Sequence, residues 1–138
     1  MAKRKSSIEE VEVFLGKVKN LADDNLRVRI NDEPWMGKAN KTQLFMAETG
    51  IKRKDIREIV KELKICHYSY TDDDYNPEYK NEEVWVFGMT KNIVDKDEEL
   101  YIKLKIRGSF LEILKIMSFH REEAPSPEEK LIFPYKEK

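Results

Sequence analysis

The sequence predicts an α+β domain, helices first and strands later. Two patterns predict it. Ile8, Val11, Phe14, Leu15, Val18 and Leu21 recur at helical spacing, whereas beyond Leu63 branched and aromatic residues alternate at the period of a strand. Size sets the scale: 138 residues, 40% of them hydrophobic, suffice for one core. The reading is therefore a single domain over 1–138, with a helical half about 1–64, a sheet half about 65–123 and a tail 124–138.

The first helix spans Ile8 to Ala22, and Ser6-x-x-Glu9 or Ser7-x-x-Glu10 supplies its capping box. Leu26 to Ile30 alternates with Arg27 and Arg29 and reads as a short strand. Residues 31–40 form a loop carrying Pro34, Trp35 and Gly37, in which Trp35 reads as a packed aromatic, with stacking on a base as the alternative. A second helix, Lys41 to Thr49, starts after an Asn40 cap and stops at Gly50. A third covers Lys52 to Leu63, with Ile56, Ile59, Val60 and Leu63 on one face. Ile65 to Tyr70 is a short strand that holds Cys66 as a small buried residue, and His67 has no evident partner. Strands Glu83–Thr90, Glu99–Arg107 and Ile113–His120 follow with short connections, the expectation for an antiparallel meander.

Strand Glu99–Arg107 is the most informative. Leu100, Ile102, Leu104 and Ile106 face the core; Tyr101, Lys103, Lys105 and Arg107 face the other way as a basic stripe headed by an aromatic. A tight turn at Asp95-Lys96 puts Trp85, Phe87 and Met89 with the core set. Val84, Val86 and Gly88 then share the Tyr101 face, with Gly88 opposite Lys103 leaving room there because it has no side chain. The last strand has two registers. A turn at Gly108-Ser109 sets Tyr101 against Ile116 and Lys103 against Leu114, with His120 roughly 13 Å from Tyr101. A longer loop sets Tyr101 beside His120 and Lys103 beside Ser118. Both put Ser118 and His120 on the Tyr101 face.

A histidine, a tyrosine and two lysines on one face are the parts of metal-free phosphodiester chemistry. The reaction needs a base for the attacking hydroxyl, cations for the phosphorane and an acid for the leaving oxygen. Histidine titrates nearest neutrality.

Composition narrows the rest. One cysteine and two histidines exclude a disulfide framework and a cysteine- or histidine-rich metal cage. No apolar run is long enough to span a bilayer. The basic start Ala2-Lys3-Arg4-Lys5 precedes no apolar run, so it does not read as a signal peptide; the expectation is a cytoplasmic protein. Net charge is −1, but residues 1–70 carry 15 bases to 11 acids and residues 71–138 carry 11 to 16. The acids at Asp72-Asp73-Asp74, Glu82-Glu83 and Asp95 to Glu99 read as solvated loops, and their spacing is not that of an EF-hand. Any nucleic-acid site must be a local basic patch.

Three ordered runs carry a resemblance. They are Val84-Trp85-Val86-Phe87-Gly88, then Leu100-Tyr101-Ile102-Lys103-Leu104-Lys105-Ile106, then Ile116-Met117-Ser118-Phe119-His120. With Thr42-Gln43-Leu44, Ile51, Arg57-Glu58-Ile59-Val60-Lys61-Glu62-Leu63 and the closing Phe133-Pro134-Tyr135-Lys136, the chain resembles the MqsR family of type II toxin–antitoxin toxins over roughly 38–136. The resemblance implies a RelE-like fold with helices on one face of an antiparallel sheet. It implies a metal-independent mRNA interferase without a cofactor, cutting single-stranded RNA by 2′-hydroxyl attack, and a cognate antitoxin as partner. Carried over by position, the family's active-site tyrosine falls on Tyr101 in a Tyr-x-Lys motif. His120 stands where the best-known member has lysine, Val86 where the family has glutamine, and Tyr70 near a family lysine. The implied catalytic set is His120, Tyr101 and Lys103, with Lys105, Tyr70 and Gly88 contacting substrate. It favours the longer loop, which brings Tyr101 to His120. RelE-like folds also host proteins that cut no RNA, so a non-catalytic binding module, gyrase-directed or regulatory, is the alternative.

Overall fold

A computed structural model describes residues 3–79, 81–123 and 130–138. Three helices, α1 (Ile8–Ala22), α2 (Lys41–Thr49) and α3 (Arg53–Lys61), accompany five strands: β1 (Val28–Ile30), β2 (Tyr68–Asp73), β3 (Glu83–Ile93), β4 (Lys96–Arg107) and β5 (Ile113–Arg121). The fold is α+β.

Local signals act where the sequence puts them. Ser7, not Ser6, closes the capping box of α1: its Oγ accepts from Glu10 N–H at 3.2 Å and Glu10 Oε1 accepts from Ser7 N–H at 2.8 Å. Ser6 is buried instead, donating its N–H to the Tyr68 hydroxyl. Asn40 caps α2, and Gly50 ends it in the left-handed conformation, φ 80°.

The sheet runs β1-β5-β4-β3-β2. β3 to β5 form the expected antiparallel meander, which β2 extends, but β1 pairs parallel with β5, Val28 against Leu114, so the sheet is mixed rather than antiparallel. One sheet face carries Phe87, Leu100, Ile102, Leu104, Leu114, Ile116 and Phe119 into a core shared with Val11, Phe14 and Val18 of α1 and Ile56 and Val60 of α3. Phe14 stacks on Trp85 at 4.3 Å.

Two registers depart from the sequence reading, one throughout and one in part. The β3–β4 turn is Val94-Asp95, not Asp95-Lys96, with both residues at positive φ (51° and 65°) as a two-residue hairpin requires. This register buries Ile93 and sets Gly88 opposite Tyr101 rather than Lys103. Burial of Ile93 outweighs the local cost of a β-branched residue at positive φ. In β4–β5, Tyr101 pairs with His120 and Lys103 with Ser118, as in the longer-loop register. A bulge then follows, and Leu104 pairs with Ile116. Strict alternation would have put Leu114 and Ile116 on the face of Ser118 and His120; the bulge turns both into the core. A second irregularity between Tyr68 and Tyr70 does the same in β2. Tyr68 faces the core against Phe87 while Tyr70 pairs with Val86 on the other face. The expected strand Ile65–Tyr70 is correspondingly displaced: Ile65–His67 is a 3₁₀ turn and the strand starts at Tyr68.

Candidate active site

The sheet face away from the helices brings His120, Tyr101, Lys103, Ser118 and Tyr70 to one cleft of about 890 Å³. Tyr101 and His120 are cross-strand neighbours, and their rings stack with centroids 5.3 Å apart and planes 16° from parallel. His120 Nδ1 lies 2.8 Å from the Arg121 carbonyl oxygen. A carbonyl only accepts, so Nδ1 carries the proton and the neutral ring presents a bare Nε2. Burial lowers the His120 pKa, only partly offset by that hydrogen bond and Glu123, while Lys41 and Lys103 push the same way as burial. Neutral imidazole is the form of a general base.

Tyr101 moves oppositely. Burial, reinforced by Tyr70 and the charge of Asp72, raises its pKa well above the tyrosine range, so it stays a phenol and a hydrogen-bond donor. Burial also lowers the Lys103 pKa, against Asp74 and Asp72. No carboxylate lies in ion-pair range of Lys103 among the described residues, so its ammonium is available to an anion.

Lys105 is a correction. Expected to touch substrate, it is fully buried, its Nζ 2.5 Å from Asp74 Oδ2 and 2.7 Å from Glu82 Oε1 and over the Tyr79 ring at 4.2 Å. Glu82 also takes Arg107, whose guanidinium likewise lies against the Tyr79 ring, 3.9 Å from its centroid. The β2–β3 acidic loop is thus folded over half of the basic stripe and neutralises it, rather than being a solvated loop. Asp95 to Glu99 is likewise not all solvent: Glu98 is buried against Arg121 at 2.7 Å.

Gly88 is the second correction. A Cβ there would lie 2.7 Å from Leu131 Cδ1 and 2.9 Å from Phe133 Cζ. The space is taken by the chain's own tail, not left for a substrate. The tail is tied down by Ser69 Oγ donating to Ile132 O at 2.7 Å and by Leu131 N–H donating to Glu122 at 2.6 Å. Residues 124–129, the first part of the expected tail, lie outside the described residues. Trp35 is not packed but 74% exposed, on a turn closed by its pairing with Lys38. Cys66 is half-buried on the 3₁₀ turn, and His67 Nδ1 accepts from Lys64 N–H at 3.0 Å, away from the cleft.

Sequence alone did not bring Lys3, Arg4, Lys5, Lys41 and Lys130 to this cleft, yet all five line it with Lys103, against Glu122 and Glu123. The pI near 6.2 conceals this local basic excess. Lys41 is delivered by α2, which is pinned to β5 where Phe119 N–H donates to Thr42 Oγ1 at 2.9 Å. The Lys3-Arg4-Lys5 run was the available signal.

Fold and cleft together define an α+β protein with a basic, histidine-bearing groove on the exposed sheet face. Comparison with protein-family models, curated proteins and solved structures finds no match. No helix among the described residues is long and apolar enough to cross a membrane.

Proposed function

We propose that the chain is a RelE-like endoribonuclease, an MqsR-type mRNA interferase that acts in the cytoplasm and is neutralised by a cognate antitoxin. The observation that carries the reading is one pair of groups on adjacent strands, in a cleft with a basic excess: His120 with a bare Nε2, and Lys103, whose ammonium has no carboxylate in ion-pair range among the described residues. His120 Nε2 takes the proton of the ribose 2′-hydroxyl. The 2′-oxygen forms its bond to phosphorus, the bond from phosphorus to the 5′-oxygen breaks, and Lys103 neutralises the phosphorane and protonates the departing oxygen. The products are a 2′,3′-cyclic phosphate and a 5′-hydroxyl. Tyr101 orients the imidazole by stacking and donates its hydroxyl hydrogen to a phosphate oxygen. Tyr70, beside Tyr101, lines the substrate path.

The test is cleavage of single-stranded RNA with EDTA present, comparing wild type with His120→Ala. Cutting that survives chelation, yields cyclic-phosphate ends and falls about 10²-fold in the variant is expected. A wild-type rate in His120→Ala overturns the assignment. A second reading, a binding module without cleavage, draws on Val86: the residue in place of the family's polar group is apolar and fully buried beneath the site. RNA bound tightly and left intact would favour it.

A further inference from the structure

The N-terminal segment is part of the cleft wall. Arg4 pairs with Thr71 on the free edge of β2, its N–H donating to Thr71 O at 2.8 Å and its carbonyl accepting from Thr71 N–H at 2.9 Å. The segment is therefore extended, and its side chains alternate. The Arg4 guanidinium reaches Asp73 and Glu83. Lys3 and Lys5 sit over aromatic rings instead, Lys3 Nζ 4.5 Å from the Tyr70 centroid and Lys5 Nζ 6.0 Å from that of Tyr135. Among the described residues neither ammonium has a carboxylate in ion-pair range. Tyr135 fixes the arrangement from the tail side: its hydroxyl donates to Ser6 O at 2.6 Å and its ring stacks on Tyr68.

We infer that residues 3–5 form a phosphate-binding arm: Lys3 and Lys5, held on an edge-paired backbone, continue the cationic line from Lys103 and bind the backbone of a single-stranded RNA beyond the scissile phosphate. Two lysines two residues apart on extended backbone are spaced about 6.6 Å, a step suited to successive phosphates of an unstacked strand. Cation–π contact positions each ammonium without neutralising it, so both charges remain for the ligand. The inference rests on the ribonuclease reading for the identity of the strand, but its binding test stands apart from cleavage.

The experiment uses the full chain and a fluorescent 2′-O-methyl RNA oligonucleotide, which lacks the attacking hydroxyl, titrated over a range of salt. Lys3→Gln/Lys5→Gln should raise Kd about tenfold at low salt and reduce the slope of log K against log salt by about 1.4, two phosphate contacts on a single strand. Lys3→Glu/Lys5→Glu should weaken binding further. Lys19→Gln/Lys54→Gln, which removes the same charge from exposed helical sites outside the cleft, should leave both quantities at wild type. An unchanged Kd and slope in the Lys3/Lys5 variants overturns the arm, whatever His120 does. An equal loss in the Lys19/Lys54 control overturns it too, reducing the effect to net charge. Absence of RNA cleavage by the wild-type chain instead overturns the ribonuclease reading and leaves the binding result standing.

Discussion

Lys103 and Lys105 point to the same face of β4 two residues apart, yet Lys105 is sealed between Asp74 and Glu82 while Lys103 stands in the cleft with no carboxylate in ion-pair range among the described residues. Asp74 and Glu82 ion-pair with Lys105, whereas Asp74 and Asp72 act on Lys103 through their charge alone. One lysine is therefore structural and the other is open to an anion. Lys105→Met should destabilise the fold by about 3 kcal/mol, since it strands two carboxylates at a largely buried site. Adding Asp74→Asn and Glu82→Gln should restore part of that loss. Urea unfolding of the single and triple variants checks it, and a Lys105→Met protein as stable as wild type would contradict the ion-pair assignment.

The same ion pairs set acid stability. Lys105 and neighbouring charges outweigh burial and hold both the Asp74 and Glu82 pKa values below their ordinary values. A carboxylate depressed in the folded state stabilises fully above its unfolded pKa and loses that contribution as pH falls through the folded value. Stability should be flat near neutrality and decline below about pH 4. Asp74→Asn should flatten the decline, read from unfolding midpoints against pH.

Cleavage should depend on pH with two limbs. The base is neutral His120, whose pKa burial lowers, so the rate rises with pH through a value below about 6.5. The alkaline limb follows loss of the Lys103 proton, at a pKa below about 10.4 because burial lowers that too. An acidic limb that persists in His120→Ala would assign it to another group.

Tyr101→Phe keeps the stack on His120 and removes only the hydroxyl; Tyr101→Ala removes both. Each should lower the cleavage rate about 10²-fold, with the alanine variant also changing the acidic limb as the imidazole loses its support. Single-turnover kinetics on both separate donation from orientation. Wild-type rates in both would remove Tyr101 from the site.

Val94 sits at φ 51°, 69% exposed, in the left-handed position of the β3–β4 turn. A β-branched residue there costs about 1 kcal/mol. Val94→Asn should raise stability by about that amount, and thermal unfolding should show a higher Tm. A lower Tm would mean that the turn differs from the one described.

Periodicity, capping and parity are short-range, and they were legible. Ser7 and Glu10, Asn40 and Gly50 mark helix ends because caps satisfy backbone groups within a few residues of themselves. Alternation along β4 put Tyr101 and Lys103 on one face, and the same parity kept Ser118 and His120 with them in either register. What the chain alone left open lies at long range. β1 joins the far edge parallel to β5, a pairing across more than eighty residues that no local pattern encodes. The bulge between the Lys103 and Leu104 pairs reverses Leu114 and Ile116 because burying both outweighs one unpaired ladder position. Lys105 becomes structural only when the acidic loop closes on it, Gly88 a seat for the tail only when Leu131 and Phe133 arrive, and Lys3 and Lys5 a wall of the cleft only when Arg4 pairs with Thr71. The sequence determined which residues share a face; the tertiary structure decided which of them remain uncovered, because covering is done by segments distant along the chain.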